Sequence, residues 1–144
     1  MTNAPVPPTN TLLRSVSAAF QRAADFASLA GAWVAAACIA GLTLRLIAQC
    51  GIPVEELLIV TFTRAATAEL AERIHGRLLA GARYLRARLQ GEAPPTDDPA
   101  LRALCEGVDE AELGRRQQRL ELAIASFDEA SISTINSFCQ RSLQ

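Results

Sequence analysis

Two short runs carry the residue types that grip an anionic polymer. Thr61-Phe62-Thr63-Arg64 sets two hydroxyls, an aromatic ring and a guanidinium on consecutive residues, and Thr134-Ile135-Asn136-Ser137-Phe138 repeats the theme with hydroxyl and amide donors. Hydroxyls and free N–H groups hydrogen-bond to phosphate oxygens, while an aromatic face stacks on any base. That is single-strand chemistry. The same residues admit a structural reading, with Thr63 and Thr134 as helix N-caps and Phe62 in the core. Spacing alone leaves both open.

Other chemistries are narrowed by composition. All 14 basic residues are Arg and the chain has no Lys, so neither a phosphate-loop ammonium nor a Schiff base can come from this polypeptide. Cys38, Cys50, Cys105 and Cys139 are widely spread and His75 is the single histidine. No metal-ligand spacing results, and no metal is expected. The cysteines read as reduced thiols of a cytoplasmic protein, packed as small hydrophobes. The net charge is −1 and the pI about 5.8, so any nucleic-acid binding must be local. With 144 residues, half of them apolar and 20% charged, the chain suits one domain or part of a larger one and can bury a core.

The elements that must position these residues follow from periodicity. Met1 to Asn10 holds Pro5, Pro7 and Pro8 and reads as an extended leader. Ala27 to Leu44 is uncharged and close to the roughly 20 apolar residues a membrane helix needs, but seven of its residues are Ala and two are Gly. Such sequence gains little from lipid, so a buried helix ended by Cys50-Gly51-Ile52-Pro53 is the preferred reading and a single membrane span the lesser one. Leu57 to Phe62 reads as a central parallel strand covered on both faces. Arg64 to Gln90 is a long amphipathic helix with a stripe of Leu70, Ile74, Leu78, Leu85 and Leu89. Gly76 and Gly81 each weaken it by about 1 kcal/mol relative to Ala, which predicts a bend or break near Gly81. Gly91 to Pro99 is a loop. A second helix spans Asp109 to Asp128, with Leu113, Leu120, Ile124 and Phe127 as its stripe. Ser131 to Ile135 is β-prone, and Asn136 to Gln144 begins another helix. Strand-then-helix junctions with helix between them indicate an α/β layer with a parallel sheet, and ligands of such sheets collect beyond the carboxyl ends of the strands.

The run Leu58 to Leu70, LIVTFTRAATAEL, followed by Glu72-Arg73-Ile74, resembles motif Ia of UvrD-like superfamily 1 DNA helicases, and TFTRAATAEL resembles the RecB subgroup, the β subunit of exodeoxyribonuclease V. Ala125-Ser126-Phe127-Asp128-Glu129-Ala130 through Thr134-Ile135-Asn136-Ser137-Phe138-Cys139-Gln140-Arg141 resembles the motif Ib region of that subgroup, and Ala40 to Leu46 the helix after its nucleotide loop. The resemblance covers about Ile39 onward. It implies part of a RecA-like (P-loop NTPase-type) domain with the start of a helical subdomain. The division expected is a poorly ordered leader over 1–25, the start of the RecA-like domain over 26–75, a helical insertion over 76–128 with a loop near 91–99, and a return to the RecA-like domain over 129–144. It further implies single-stranded DNA contacts by Thr61, Phe62, Thr63 and Arg64, with Phe62 stacking, and by Thr134, Asn136 and Ser137. Asn136 stands where the family commonly has His; an amide still donates to phosphate.

The family's nucleotide loop, approximately A-S-A-G-T-G-K-T, uses ATP and Mg²⁺. Here the corresponding stretch runs from Leu29 to Ala36, with Gly31 in it, Ala35 where the lysine should be and Ala36 at the hydroxyl. No cofactor is expected for this chain and no ATP hydrolysis. Gln21 faintly resembles the family's adenine-reading glutamine. Asp128-Glu129 reads as a solvated helix end and not as the metal-binding acidic pair. The function these features imply is that of an N-terminal fragment of a RecB/UvrD-like ATP-dependent helicase of DNA unwinding and recombinational repair, keeping its DNA-contact motifs, with a frame shift near Cys38 as one origin of the altered loop. Alternatives are a non-enzymatic module binding DNA or other recombination-complex subunits, and the small membrane protein. Roughly three strands are expected, so partner dependence follows.

Overall fold

The computed structural model describes residues 29–143, so the expected leader and Gln21 lie outside the described residues. The chain divides into two compact units, residues 1–35 and 36–144. Of the first, the described residues are helical; the second carries the sheet and the core.

Helix α1 (Leu29–Ala48) is rich in Ala and uncharged until Arg45, a composition of high helix propensity. It stops at Gly51, which takes a φ of 72° while the amides of Gly51 and Ile52 donate back to the carbonyls of Ile47 and Leu46. Only a residue without Cβ adopts that conformation cheaply. A 3₁₀ turn (Val54–Glu56) leads into β1 (Leu58–Thr61) and then into α2 (Arg64–Leu89). Pro99, pre-set for a first helical position, opens the short α3 (Pro99–Arg102) behind the Asp98 cap. Asp109 caps α4 (Glu110–Ala125), a second 3₁₀ turn covers Phe127–Glu129, and β2 (Ser131–Thr134) runs into α5 (Ile135–Ser142).

The two strands pair in parallel, with Leu58 opposite Ser131, Ile59 opposite Ile132, Val60 opposite Ser133 and Thr61 opposite Thr134. A parallel pair requires a long crossover, and α2, α3 and α4 provide it. The core lies among α1, α2, α3 and α4, where Leu44, Ile47, Ile74, Leu78, Leu85, Leu101, Leu104 and Leu120 are fully enclosed. Ile59 and Ile132 pack against it from the sheet. The result is an α/β unit, mostly helical, with a two-stranded parallel sheet.

Several expectations need correction. α2 is one unbroken helix, because Gly81 is not a weak point but a crossing: a Cβ there would lie 2.7 Å from Leu44 Cδ1 and 3.1 Å from Leu120 Cδ1. Among the described residues there are two strands and not three. β1 is not covered on both faces, since Leu58 and Val60 are 51% and 41% exposed. Cys38, Cys50 and Cys139 are exposed instead of packed, although all four thiols are free. Burial pushes the thiol of the partly covered Cys105 above its ordinary value. The periodicity also missed α3, whose Leu101 is buried together with Leu104 just beyond it. Among the described residues no helix is long and apolar enough to cross a membrane.

The arginines anchor this fold. Glu112 accepts from Arg115, Arg116 and Arg119 at 2.8, 3.1 and 3.3 Å. Arg116 also donates to the Leu104 carbonyl and Arg119 to the Ala48 carbonyl, at 2.8 and 2.9 Å. Arg119 thereby satisfies one of the carbonyls that the end of α1 leaves open. A planar guanidinium with several donors can hold a carboxylate and a carbonyl at once, which a lysine ammonium does with less geometric definition.

Arg77 donates to both oxygens of Asp98, at 2.6 and 3.2 Å, and this bond, opposed by desolvation and aided by the Ala100 and Leu101 amides, holds the Asp98 carboxyl below the usual aspartate range. Folding lowers this pKa. The interaction therefore contributes stability above the ordinary aspartate value of about 3.9 and loses it as pH falls through the lower folded value. Asp98→Ala is expected to cost about 1 kcal/mol at neutral pH through the lost cap. In urea melts its deficit against the wild type should narrow as pH drops from about 5 to about 3; a deficit independent of pH would contradict the assignment.

Gly81 yields a paired prediction. Gly81→Ala should destabilise by about 1–2 kcal/mol despite its gain in helix propensity, because Leu44 and Leu120 are enclosed and cannot move aside. Gly76→Ala, with nothing within 4 Å of its new methyl, should stabilise by up to about 1 kcal/mol. Equal midpoints for the two variants would refute the crossing argument.

Candidate nucleic-acid interface

The register that places Thr61 opposite Thr134 brings both strand-to-helix junctions to one edge of the sheet. Each junction is built by hydroxyls. Thr63 leaves the strand in an extended conformation and its Oγ1 accepts from the Ala66 amide at 3.1 Å, starting α2. Thr134 does the same for α5, accepting from the Ser137 amide at 3.2 Å. These are N-caps, and they satisfy donors that the first helical turn would otherwise leave open.

A second layer of hydroxyl contacts stiffens the edge. Thr61 Oγ1 donates to the Thr63 carbonyl at 3.1 Å and is hydrogen-bonded to Thr67 Oγ1. Thr67 Oγ1 also meets the Thr63 carbonyl, at 2.9 Å. Thr134 Oγ1 and Ser137 Oγ lie 2.9 Å apart. The seven residues singled out from sequence thus divide by task. Thr61, Thr63, Thr134 and Ser137 are engaged in holding the frame, so the capping reading of the threonines holds. Phe62 is 68% exposed, not in the core, and Arg64 and Asn136 are also exposed. All three stand at the carboxyl edge of the strand pair, at or just beyond the two strand ends.

Just behind the rim lies a cavity of about 370 Å³, lined by Arg64, Thr67, Ser133, Thr134 and Ser137 with Ala68, Ala71 and Ile132. Thr67 and Ser133 were not singled out from sequence. Thr67 sits one turn after Thr63 and its spacing could have shown it; nothing local marks Ser133. A larger hollow of about 490 Å³ opens at the opposite, amino edge, where Asp128 and Glu129 stand in the 3₁₀ turn before β2. Both carboxylates are exposed, and the turn is the form taken by the expected solvated helix end. His75 packs its ring on Phe127, with centroids 4.9 Å apart, which gives the one histidine a place in the helical layer. Among the described residues no group of three or more His, Cys, Asp or Glu is arranged to hold a metal ion.

A parallel pair with capped helices springing from its carboxyl edge is the local form of an α/β domain whose ligands collect at that edge. The model of the UvrD/REP helicase N-terminal domain matches residues 36–144, and the chain belongs to this family. It is similar to the RecBCD enzyme subunit RecB of Escherichia coli K12, with 42% identity over 113 residues, 73% of this chain and 9% of that protein. The RecB subunit of Mycobacterium tuberculosis CDC 1551 is 39% identical over 101 residues, 70% of this chain and 9% of the relative. For Haemophilus influenzae the identity is 37% over 114 residues, 73% and 9% respectively. The chain therefore spans about a tenth of the length of these relatives.

The family match starts at Ala36, where the expected phosphate loop would end. Gly31, Ala35 and Ala36 all lie inside α1. A helix commits the amides of its second and later turns to its own carbonyls, so the Ala35 and Ala36 amides do not form the open cradle that phosphates need. With no lysine in the chain, these residues do not fit a nucleoside triphosphate with its Mg²⁺.

The cap geometry is directly testable. Thr134→Val removes both the Ser137 amide bond and the Ser137 hydroxyl contact while keeping the branched shape. It is expected to cost about 1 kcal/mol and to speed hydrogen exchange of the Ser137 amide, measured by NMR. Unchanged exchange there would mean that the cap does not hold α5.

Proposed function

We propose that this chain is a RecB-like helicase segment that grips single-stranded DNA, in the setting of DNA unwinding and recombinational repair, without hydrolysing ATP itself. One observation carries the reading: the register of Thr61 with Thr134 sets Phe62, Arg64 and Asn136 on a shared, hydroxyl-stiffened edge. Phe62 stacks on a base. Arg64 and the amide of Asn136 hold phosphates, and the four framing hydroxyls fix their positions.

In intact family members hydrolysis of ATP, with Mg²⁺ holding its phosphates, supplies the free energy of unwinding. Gly31, Ala35 and Ala36 offer neither the charge nor the metal ligand for that role, so this chain contributes grip and not drive. Its relatives are named as subunits of the RecBCD enzyme. By analogy the apolar face bearing Leu58 and Val60 docks against further helicase-domain or recombination-complex polypeptide, since a parallel sheet is ordinarily covered on both faces. The proposed location is the cytoplasm, where that DNA chemistry takes place.

Anisotropy of a labelled short oligothymidylate tests the reading. The chain should bind at low salt and release steeply as salt rises. Phe62→Ala should lose about 1–3 kcal/mol of binding, and Arg64→Gln should flatten the salt slope by about one. No ATP hydrolysis should accompany binding. Oligonucleotide affinity unaltered by Phe62→Ala, or turnover of ATP at a helicase-like rate, would falsify the proposal.

A further inference from the structure

Among the described residues β2 is the one strand beside β1, so the far edge of β1 has amides and carbonyls with no strand to pair with. An open edge of this kind accepts another chain. Along it Glu56, Leu58, Val60, Phe62 and Arg64 fall at every second position, and all five are exposed. An acid stands at one end, a base at the other and three apolar groups between them, with no other charge from Leu57 to Thr63. Neither Glu56 nor Arg64 has an ion pair among the described residues.

Run in reverse, that series is its own complement. Opposite residues of an antiparallel pair turn their backbone groups the same way, so a strand meets a copy of itself only in registers centred on a residue. Centring on Val60 sets Val60 against Val60, Leu58 against Phe62 and Glu56 against Arg64, the last two pairs occurring twice by symmetry. The neighbouring registers lack this match: centring on Ile59 sets Glu56 against Phe62, and centring on Thr61 sets Leu58 against Arg64. Glu56 closes the 3₁₀ turn before β1 and Arg64 opens α2, so the charges meet at the two ends of the paired strands.

We infer that β1 is a self-association edge, through which two copies of this chain pair antiparallel about Val60 into a joined sheet ordered β2-β1-β1-β2. Charge complementarity selects a second copy as the occupant. The contact is smaller than a standard interface, so monomer and dimer exchange with concentration. The inference stands apart from the function proposed above, but it draws on Phe62 and Arg64, so the dimer and the DNA complex exclude each other.

Sedimentation velocity of the full chain, from about 1 μM to about 1 mM, is the test. The mass should rise from one chain of 15.4 kDa towards two. Val60→Lys, which sets two ammonium groups on the axis, should keep the protein monomeric. Glu56→Arg and Arg64→Glu should each weaken the dimer about tenfold, because like charges opposite one another repel and symmetry counts each change twice. The double variant should restore it. Glu56 and Arg64 are exposed and outside the strand, so these exchanges probe pairing where Val60→Lys also probes folding. A wild type that stays monomeric overturns the inference, as do a dimer unchanged by Val60→Lys and single reversals that the double variant does not rescue. Saturating oligothymidylate should dissolve the dimer, and a dimer that keeps its mass with oligonucleotide bound overturns the inference too. A chain that dimerises as described yet binds no oligonucleotide supports the edge and removes only the proposed function.

Discussion

The close approach of α2 to its neighbours at Gly81 sets the rest of the structure. β1 and β2 can run parallel only if the helical segment between them folds back on itself, and the fold-back is packed around one point. There Leu44 from α1 and Leu120 from α4 both reach the backbone of α2, within the distance a Cβ would occupy. Interiors are packed to crystal-like density, so a shift at this point displaces α4, the 3₁₀ turn after it and the strand that follows. The pairing of Thr61 with Thr134, and with it the whole candidate rim, depends on a contact at the far side of the helical layer.

How much of this could be read in the sequence depends on how local each cause is. The TFTR and STINS junctions announced strand, cap and helix, because period, hydroxyl and following amides lie within a few residues of one another. The stripes of α2 and α4 likewise gave part of the core: Leu70, Ile74, Leu78, Leu85 and Leu120 are buried, while Leu89, Leu113, Ile124 and Phe127 are only half-buried. Long-range causes were hidden. Gly81 looked like a helix breaker because its two partners are distant in sequence. Leu101 and Leu104 were masked by the prolines and acids before them, and only the tertiary fit of α3 makes them core. The site followed the same rule: its exposed and capping residues were legible, whereas the enclosure of Ser133 arises from what surrounds it in three dimensions.

The lack of lysine has a structural counterpart in the division of labour among the arginines. Arg77, Arg86, Arg116 and Arg119 tie helices to one another through carboxylates and open carbonyls. Exposed pairs of this kind are individually weak, but Glu112 gathers three guanidinium groups, and Arg116, the most covered of them, also holds the carbonyl at the end of the α3 segment. Positive charge is thereby drawn into the helical layer. Arg64, exposed at the rim, stands outside that network.

The free thiols give the surface an unusual reactivity profile. No side-chain amine exists anywhere in this polypeptide, so amine-directed crosslinkers and lysine-directed modifying enzymes find no lysine to attack. Cys38, Cys50 and Cys139 instead stand at the surface, and soft electrophiles and oxidants select exposed thiols once these ionise. Covalent chemistry on the folded molecule is thus directed mainly to sulfur, with Cys139 in the helix that begins at the candidate rim and Cys50 at the opposite turn. A bulky adduct or mixed disulfide on the first would lie near the proposed strand path, while one on the second would leave it clear.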